Sequence, residues 1–137
     1  MIAEFFLDTN ILVYSVDSDP ENVRKREISL DLMESLDFGV SAQVLQEFFV
    51  TVTRKLETPL EPGKAAVFVE KLSRLPVVVT DADLVMEGVL GSIRNRISYW
   101  DSAILVAAGR LGSRVVYSED LNHGQVFGSV RVVNPYL

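Results

Sequence analysis

The chain contains no cysteine and a single histidine, His123. Without cysteine there are no disulfides, thiolate metal sites or sulfur nucleophiles, which accords with a reducing cytoplasm. One histidine excludes paired-histidine acid–base chemistry within a chain and any site built on two imidazole ligands. No apolar run approaches the roughly 20 residues of a membrane span. No basic segment with a small-residue cleavage site precedes the first strand-like stretch, so a signal peptide is not expected. Positive charge is also scarce. Thirteen Lys and Arg against 19 Asp and Glu leave a formal charge of −6, too acidic to grip nucleic acid through a bulk positive field. What remains for chemistry is oxygen: carboxylates, hydroxyls and the hard cations they bind.

What is present describes an ordinary globular protein. Of 137 residues, 48% are hydrophobic and 23% charged, enough for one domain over residues 1–137 to bury a core. Strand-like and helix-like segments alternate. Residues 2–7 read as a strand, followed by a short helix after Asp8. In "DPENVRKREISLDLMESL" Asp19 is a helix cap and Pro20 the first helical residue, with Val23, Ile28, Leu32 and Leu36 as the apolar stripe. "FGVSA" is a second strand, and its Ser41 caps "AQVLQEFFVTVTRKL", where Val44, Leu45, Phe48, Phe49 and Val52 recur at helical spacing. "ETPLEPG" is a loop, and Pro62 opens the next helix. "PVVVT" is a third strand, and Thr80 with Asp83 reads as a capping box for the helix after it. Ser98 caps a helix through "YWDSAILVAAGRLG", which Gly112 ends. "SRVVYS" and "VRVVNP" are the last strands. Such alternation predicts an α/β three-layer sandwich, with a mainly parallel central sheet of about five strands flanked by helices.

In sheets of this kind ligands bind beyond the carboxyl ends of the strands, which shortens the roster of acids that could carry chemistry. Asp8 follows the first strand, Asp81 the third and Asp120 the fourth. Glu47 flanks the apolar stripe of its helix, and Asp101 lies in the first turn of a very apolar one. Each has a purely structural reading: Asp8 as a helix cap, Asp101 as a capping-box partner of Ser98, Glu47 as a solvated edge residue, Asp120 as a turn residue. Asp81, Asp83, Asp17 and Asp19 read as acids that complement helix dipoles.

Together, "FLDTNIL", the glutamate of "LQEFF", "YWDSAILVAA" and "VVYSEDL" resemble the PIN-domain nucleases, in the family's order and over most of the chain. The likeness is greatest to the VapC-like toxin ribonucleases of toxin–antitoxin pairs. It implies a PIN-like fold and an acidic site of Asp8, Glu47, Asp101 and Asp120, supported by Thr9 or Asn10 and by Ser118. Between the neighbours Glu119 and Asp120, strand alternation puts Asp120 on the side of Ser118. The resemblance further implies RNA as substrate, a homodimer and a small cognate antitoxin. Oxygen ligands without histidine or cysteine favour Mg²⁺ or Mn²⁺, which would relieve the repulsion among converging carboxylates. Arg94 and Arg96 precede Asp101 and are candidate RNA contacts. Tyr99 and Trp100 are expected to close the core, with base stacking the alternative. The run Arg24–Lys25–Arg26 reads as a solvated helix face or a surface for an acidic partner, and His123 as a loop hydrogen-bonding residue. The rival from another class is a non-catalytic PIN-like module that binds RNA or protein. A receiver domain and a haloacid-dehalogenase-like phosphatase fit less well: the first wants paired acids after the first strand, the second an aspartate where Asn10 stands.

Overall fold

The computed structural model describes residues 2–137. Strand β1 (Phe5–Leu7) leads through Asp8 into α1 (Thr9–Val16); a 3-10 turn (Pro20–Asn22) and α2 (Val23–Ser35) follow. Then come β2 (Phe38–Ser41), α3 (Ala42–Arg54), α4 (Pro62–Leu72), β3 (Val77–Val78), α5 (Ala82–Asn95), α6 (Tyr99–Arg110), β4 (Val115–Tyr117), β5 (Val126–Phe127) and β6 (Val130–Val133). The sheet order is β3-β2-β1-β4-β6-β5, parallel throughout except for the β5–β6 pair.

This order fixes the layers. From β1 through β2 to β3 the chain moves one way across the sheet, so right-handed crossovers put α1 to α4 on one face. From β3 it returns past β1 to β4, which puts α5 and α6 on the other. The reversal leaves β1 and β4 adjacent, with their carboxyl ends side by side. There the helices that follow neighbouring strands diverge to opposite faces and leave a crevice.

The core is apolar and closed. Phe6, Leu7, Ile11, Leu12, Val40, Val44, Phe48, Val52, Val116 and Val132 are all essentially inaccessible. Helices α5 and α6 approach closely because two glycines face α6: a Cβ on Gly88 would lie 2.8 Å from Tyr99 Cε1, and one on Gly91 2.5 Å from Ser102 Oγ. Several elements depart from expectation. A sixth strand, β5, pairs antiparallel with β6 across Gly128, whose φ is +59°. The cap of α5 is Asp81, whose carboxylate accepts from Leu84 N–H at 2.8 Å, rather than Thr80. Val23 is 49% exposed, because the turn that Asp19 caps is 3-10 and α2 starts only after it. No helix among the described residues is long and apolar enough to cross a membrane.

Candidate active site

The crevice between β1 and β4 is built from the backbone outward. Asp8 N–H donates to Tyr117 O at 3.0 Å, extending the β1–β4 ladder one residue past the strand. Asp8 then caps α1 in extended conformation, its Oδ1 accepting from Thr9 N–H at 2.7 Å. Its Oδ2 accepts from Ser118 Oγ, the residue after β4, at 2.8 Å. Ser118 is wholly buried and its own N–H donates to Val133 O at 3.0 Å, so β6 steadies the group that holds Asp8.

Asp8 is only 7% exposed. Burial pushes its carboxyl up from 3.8 to about 6; the hydrogen bonds from Ser118 and Thr9 resist, and the negative charges of Asp120 and Glu47 add to the rise. The structure therefore brings these acids within each other's electrostatic reach. Glu47 and Asp120, both exposed, also share the wall of one cavity of about 400 Å³ with Thr9, Asn10, Tyr14 and Asp17. Asp120 Oδ2 accepts from Asn10 Nδ2 at 3.0 Å, and Asn10 Oδ1 accepts from Glu119 N–H at 3.2 Å, so one asparagine fixes the loop after β4. Glu47 Oε1 accepts from Gln43 Nε2 at 2.9 Å, one helical turn away.

Asp101 comes from a different element, the first turn of α6. Its N–H donates to Ser98 Oγ at 3.1 Å, the half of the capping box that forms, but its carboxylate does not line the cavity. The link is indirect: Gln43 Nε2 also reaches Trp100 O at 3.3 Å, which ties α3 to the first turn of α6 beside Asp101. Neither Arg94 nor Arg96 lines the acidic cavity. Arg94 lines a hollow between α5 and α6, and Arg96, at φ 55°, ends α5 in left-handed conformation.

The adjacent acids after β4 diverge. Glu119 turns toward α1 and α2, where its carboxylate pairs with Lys25 and accepts from Tyr14 Oη at 2.6 Å. Lys25 also lies over the rings of Tyr14 and Tyr136, 5.0 and 5.5 Å from their centroids. Burial, then the bond to Glu119, raises the Tyr14 pKa and keeps the phenol a donor. Asp120 alone faces the cavity. Lys25 therefore turns into a half-buried ion pair, while Arg24 and Arg26 remain on the expected exposed face. Asp17, expected to complement a helix dipole, is buried at the C-cap of α1, accepting from Asp19 N–H at 3.0 Å and from Asn22 Nδ2 at 2.9 Å. Asp81 is a helix cap that also pairs with Arg110 at 3.2 Å. Trp100, expected in the core, is 64% exposed. His123 Nδ1 accepts from Asn134 N–H at 3.0 Å, a loop bond.

Two observations bear on a cation. The donors at the crevice are carboxylate, amide and hydroxyl oxygens, the chemistry a hard divalent ion prefers. Thr9 Oγ1, on the residue after Asp8, is the one buried side-chain polar atom without a hydrogen-bond partner among the described residues. In contrast, no three Asp, Glu or His among the described residues are grouped closely enough to share one metal ion. The reason is visible in the bonds above: like charges keep apart, and Glu47 and Asp120 each take an amide donor instead. The donor chemistry suits a hard cation, while the carboxylates stand too far apart to share one in this arrangement.

The PIN domain family profile matches residues 5–127. No curated protein sequence matches the chain significantly. Among solved structures, a toxin–antitoxin complex from Klebsiella pneumoniae superposes with a TM-score of 0.70 at 17% identity, covering 96% of this chain and 97% of that one. VapC20 of Mycobacterium tuberculosis, described as a sarcin–ricin loop cleaving toxin, gives 0.67 at 19% identity, over 85% of this chain and 89% of that one. FitAcB from Neisseria gonorrhoeae gives 0.62 at 21% identity, over 96% and 98%. At these identities the likeness is one of fold.

Proposed function

Because the chain belongs to the PIN domain family, we propose that it is a divalent-metal-dependent endoribonuclease and the toxin of a toxin–antitoxin pair, working as a homodimer with a small cognate antitoxin. The observation that carries this reading is the placement of Asp8. A carboxylate at the sheet's switch point, buried and pushed up to about 6, shares its surroundings with Glu47 and Asp120 and has hydroxyl and main-chain N–H donors rather than an arginine or lysine. Asp17, equally buried, is also held by neutral donors, but at Asp8 two further carboxylates add to the rise that burial causes.

Asp8, Glu47, Asp101 and Asp120 would hold Mg²⁺ or Mn²⁺. A divalent ion at such a site supplies Lewis acidity to a phosphodiester and eases ionisation of water near neutral pH. The chain's own groups do the rest. Ser118 and Thr9 N–H fix both oxygens of Asp8, and Asn10 fixes Asp120. Gln43 occupies Glu47 Oε1 and leaves Oε2 free to take a proton from the attacking water. The new P–O bond to water forms as the P–O3′ bond breaks, and the proton taken by Glu47 returns through solvent to the departing O3′, leaving a 5′-phosphate and a 3′-hydroxyl.

The test is incubation of purified protein with mixed RNA in Mg²⁺ or Mn²⁺, then in EDTA, with Asp8→Asn alongside. Metal-dependent cleavage that EDTA and Asp8→Asn both abolish is expected. The separation of the carboxylates favours a second reading, a non-catalytic RNA-binding module. That module would bind RNA in EDTA and yield no products with either metal.

A further inference from the structure

Trp100 is the chain's single tryptophan, and it is 64% exposed on the first turn of α6. Its position is nonetheless set. The Tyr99 ring meets it edge-on, with centroids 5.1 Å apart at 76°, and Tyr99 rests against the close approach of Gly88. The Trp100 carbonyl accepts from Gln43 Nε2. The indole thus offers an aromatic face to solvent at a fixed point of the fold.

The indole borders a hollow of about 310 Å³ whose other walls include Gln46, Val50, Thr51 and Lys55 of α3 and its C-terminal end, together with Glu47. Glu47 and Thr51 also line the acidic cavity. The two depressions are therefore neighbours that share the edge of α3. Lys55 is exposed and makes no salt bridge among the described residues. An aromatic face, an unpaired cation and a side-chain amide beside a candidate phosphodiester-cleaving centre match the needs of one unstacked nucleotide: a π surface for the base, a charge for its phosphate and hydrogen bonds for the base edge. The lining is mixed: Val50 adds an apolar wall, and Gln46, Lys55 and Glu47 supply the polar groups that a base edge and a phosphate require.

We propose that Trp100, Lys55 and Gln46 form a base-stacking subsite that holds one nucleotide of single-stranded RNA next to the acidic cavity. The subsite rests on the nuclease reading for its role in cleavage, but binding is measurable without cleavage. Stacking on one face tolerates any base, so it selects unpaired RNA over duplex rather than a particular sequence.

The experiment uses the Asp8→Asn protein in Mg²⁺, titrated with a single-stranded RNA decamer, and reads tryptophan fluorescence, which reports one known position. Saturable quenching by the single strand, weak with the same sequence as a duplex, is expected. By anisotropy of a labelled decamer, Trp100→Leu should weaken binding about tenfold or more. Trp100→Phe should retain most of the affinity, and Lys55→Glu should weaken it and steepen its loss with salt. Binding seen by anisotropy with no fluorescence change overturns the proposal, as does an unaltered affinity in Trp100→Leu. A shift from dimer to monomer on Trp100→Leu also overturns it, by making the indole a contact between copies. Quenching by RNA in a protein that cleaves nothing upholds the subsite and sinks the nuclease reading. Cleavage by the wild type with a silent Trp100 does the reverse.

Discussion

Replacing Asp8 by asparagine tests whether this carboxylate is held against its own preference. The rise of its pKa from 3.8 to about 6, at about 1.36 kcal/mol per pH unit, amounts to about 3 kcal/mol of instability carried by the charged form. The sign follows from proton counting. Between those two values the folded chain keeps a proton that the unfolded chain has released, so stability falls as pH rises from about 4 through about 6 and stays low above. Asparagine nearly preserves shape and cannot ionise. In EDTA, urea unfolding should find the two proteins close in stability at pH 4. At pH 7.5 the variant should be more stable by about 1–3 kcal/mol, the lower end allowing for an amide that fits less well than the protonated acid between Thr9 and Ser118. Saturating Mg²⁺ should stabilise the wild type and not the variant, since only a folded-state ligand shifts the equilibrium. A difference that does not change with pH, or a variant less stable at pH 7.5, would refute the reasoning.

Further outcomes follow from the same geometry. Glu47→Gln and Asp101→Asn should each lower RNA cleavage by about 100-fold or more with folding intact by circular dichroism, whereas Asp81→Asn should cleave at the wild-type rate. If Asp81→Asn is dead and Asp101→Asn active, the assignment of the acids is wrong. Lys25→Met should free Glu119 beside Asp120 and slow cleavage severalfold; adding Glu119→Gln should restore it, and no recovery would mean that Lys25 acts in some other way. Gly39→Ala should cost about 1–3 kcal/mol in urea unfolding, because its Cβ would press on Leu111 and lie 3.0 Å from Pro76 O. A neutral substitution there would show that β2 and its neighbours can part.

Local signals made much of the fold legible. The caps Asp8, Asp19, Ser41 and Ser98 were readable because a cap and the N–H it binds lie within three residues. Where competing acceptors stood side by side, sequence could not choose: Asp81 caps α5 instead of Thr80, since its oxygen alone reaches Leu84 N–H. Strand β5 is two residues long and owes its existence to pairing with β6. Asp120 was preferred to Glu119 by strand alternation, yet β4 ends at Tyr117. What separates those two acids is Lys25, 94 positions away. The switch point that places Asp8 beside Ser118 follows from strand order, which periodicity does not encode. Gln43, which joins Glu47 to the turn carrying Asp101, had no sequence signal at all: a glutamine on a helix face is unremarkable until both its partners are known.

Both rims of the sheet are strands of two residues, Val77–Val78 and Val126–Phe127. So short a border offers an incoming peptide almost no row of free main-chain donors and acceptors to zip against, which also guards the chain against edge-to-edge aggregation. A protein partner must therefore gain its grip from side chains on the helical surfaces, and its specificity from their shapes and charges, rather than by adding a strand.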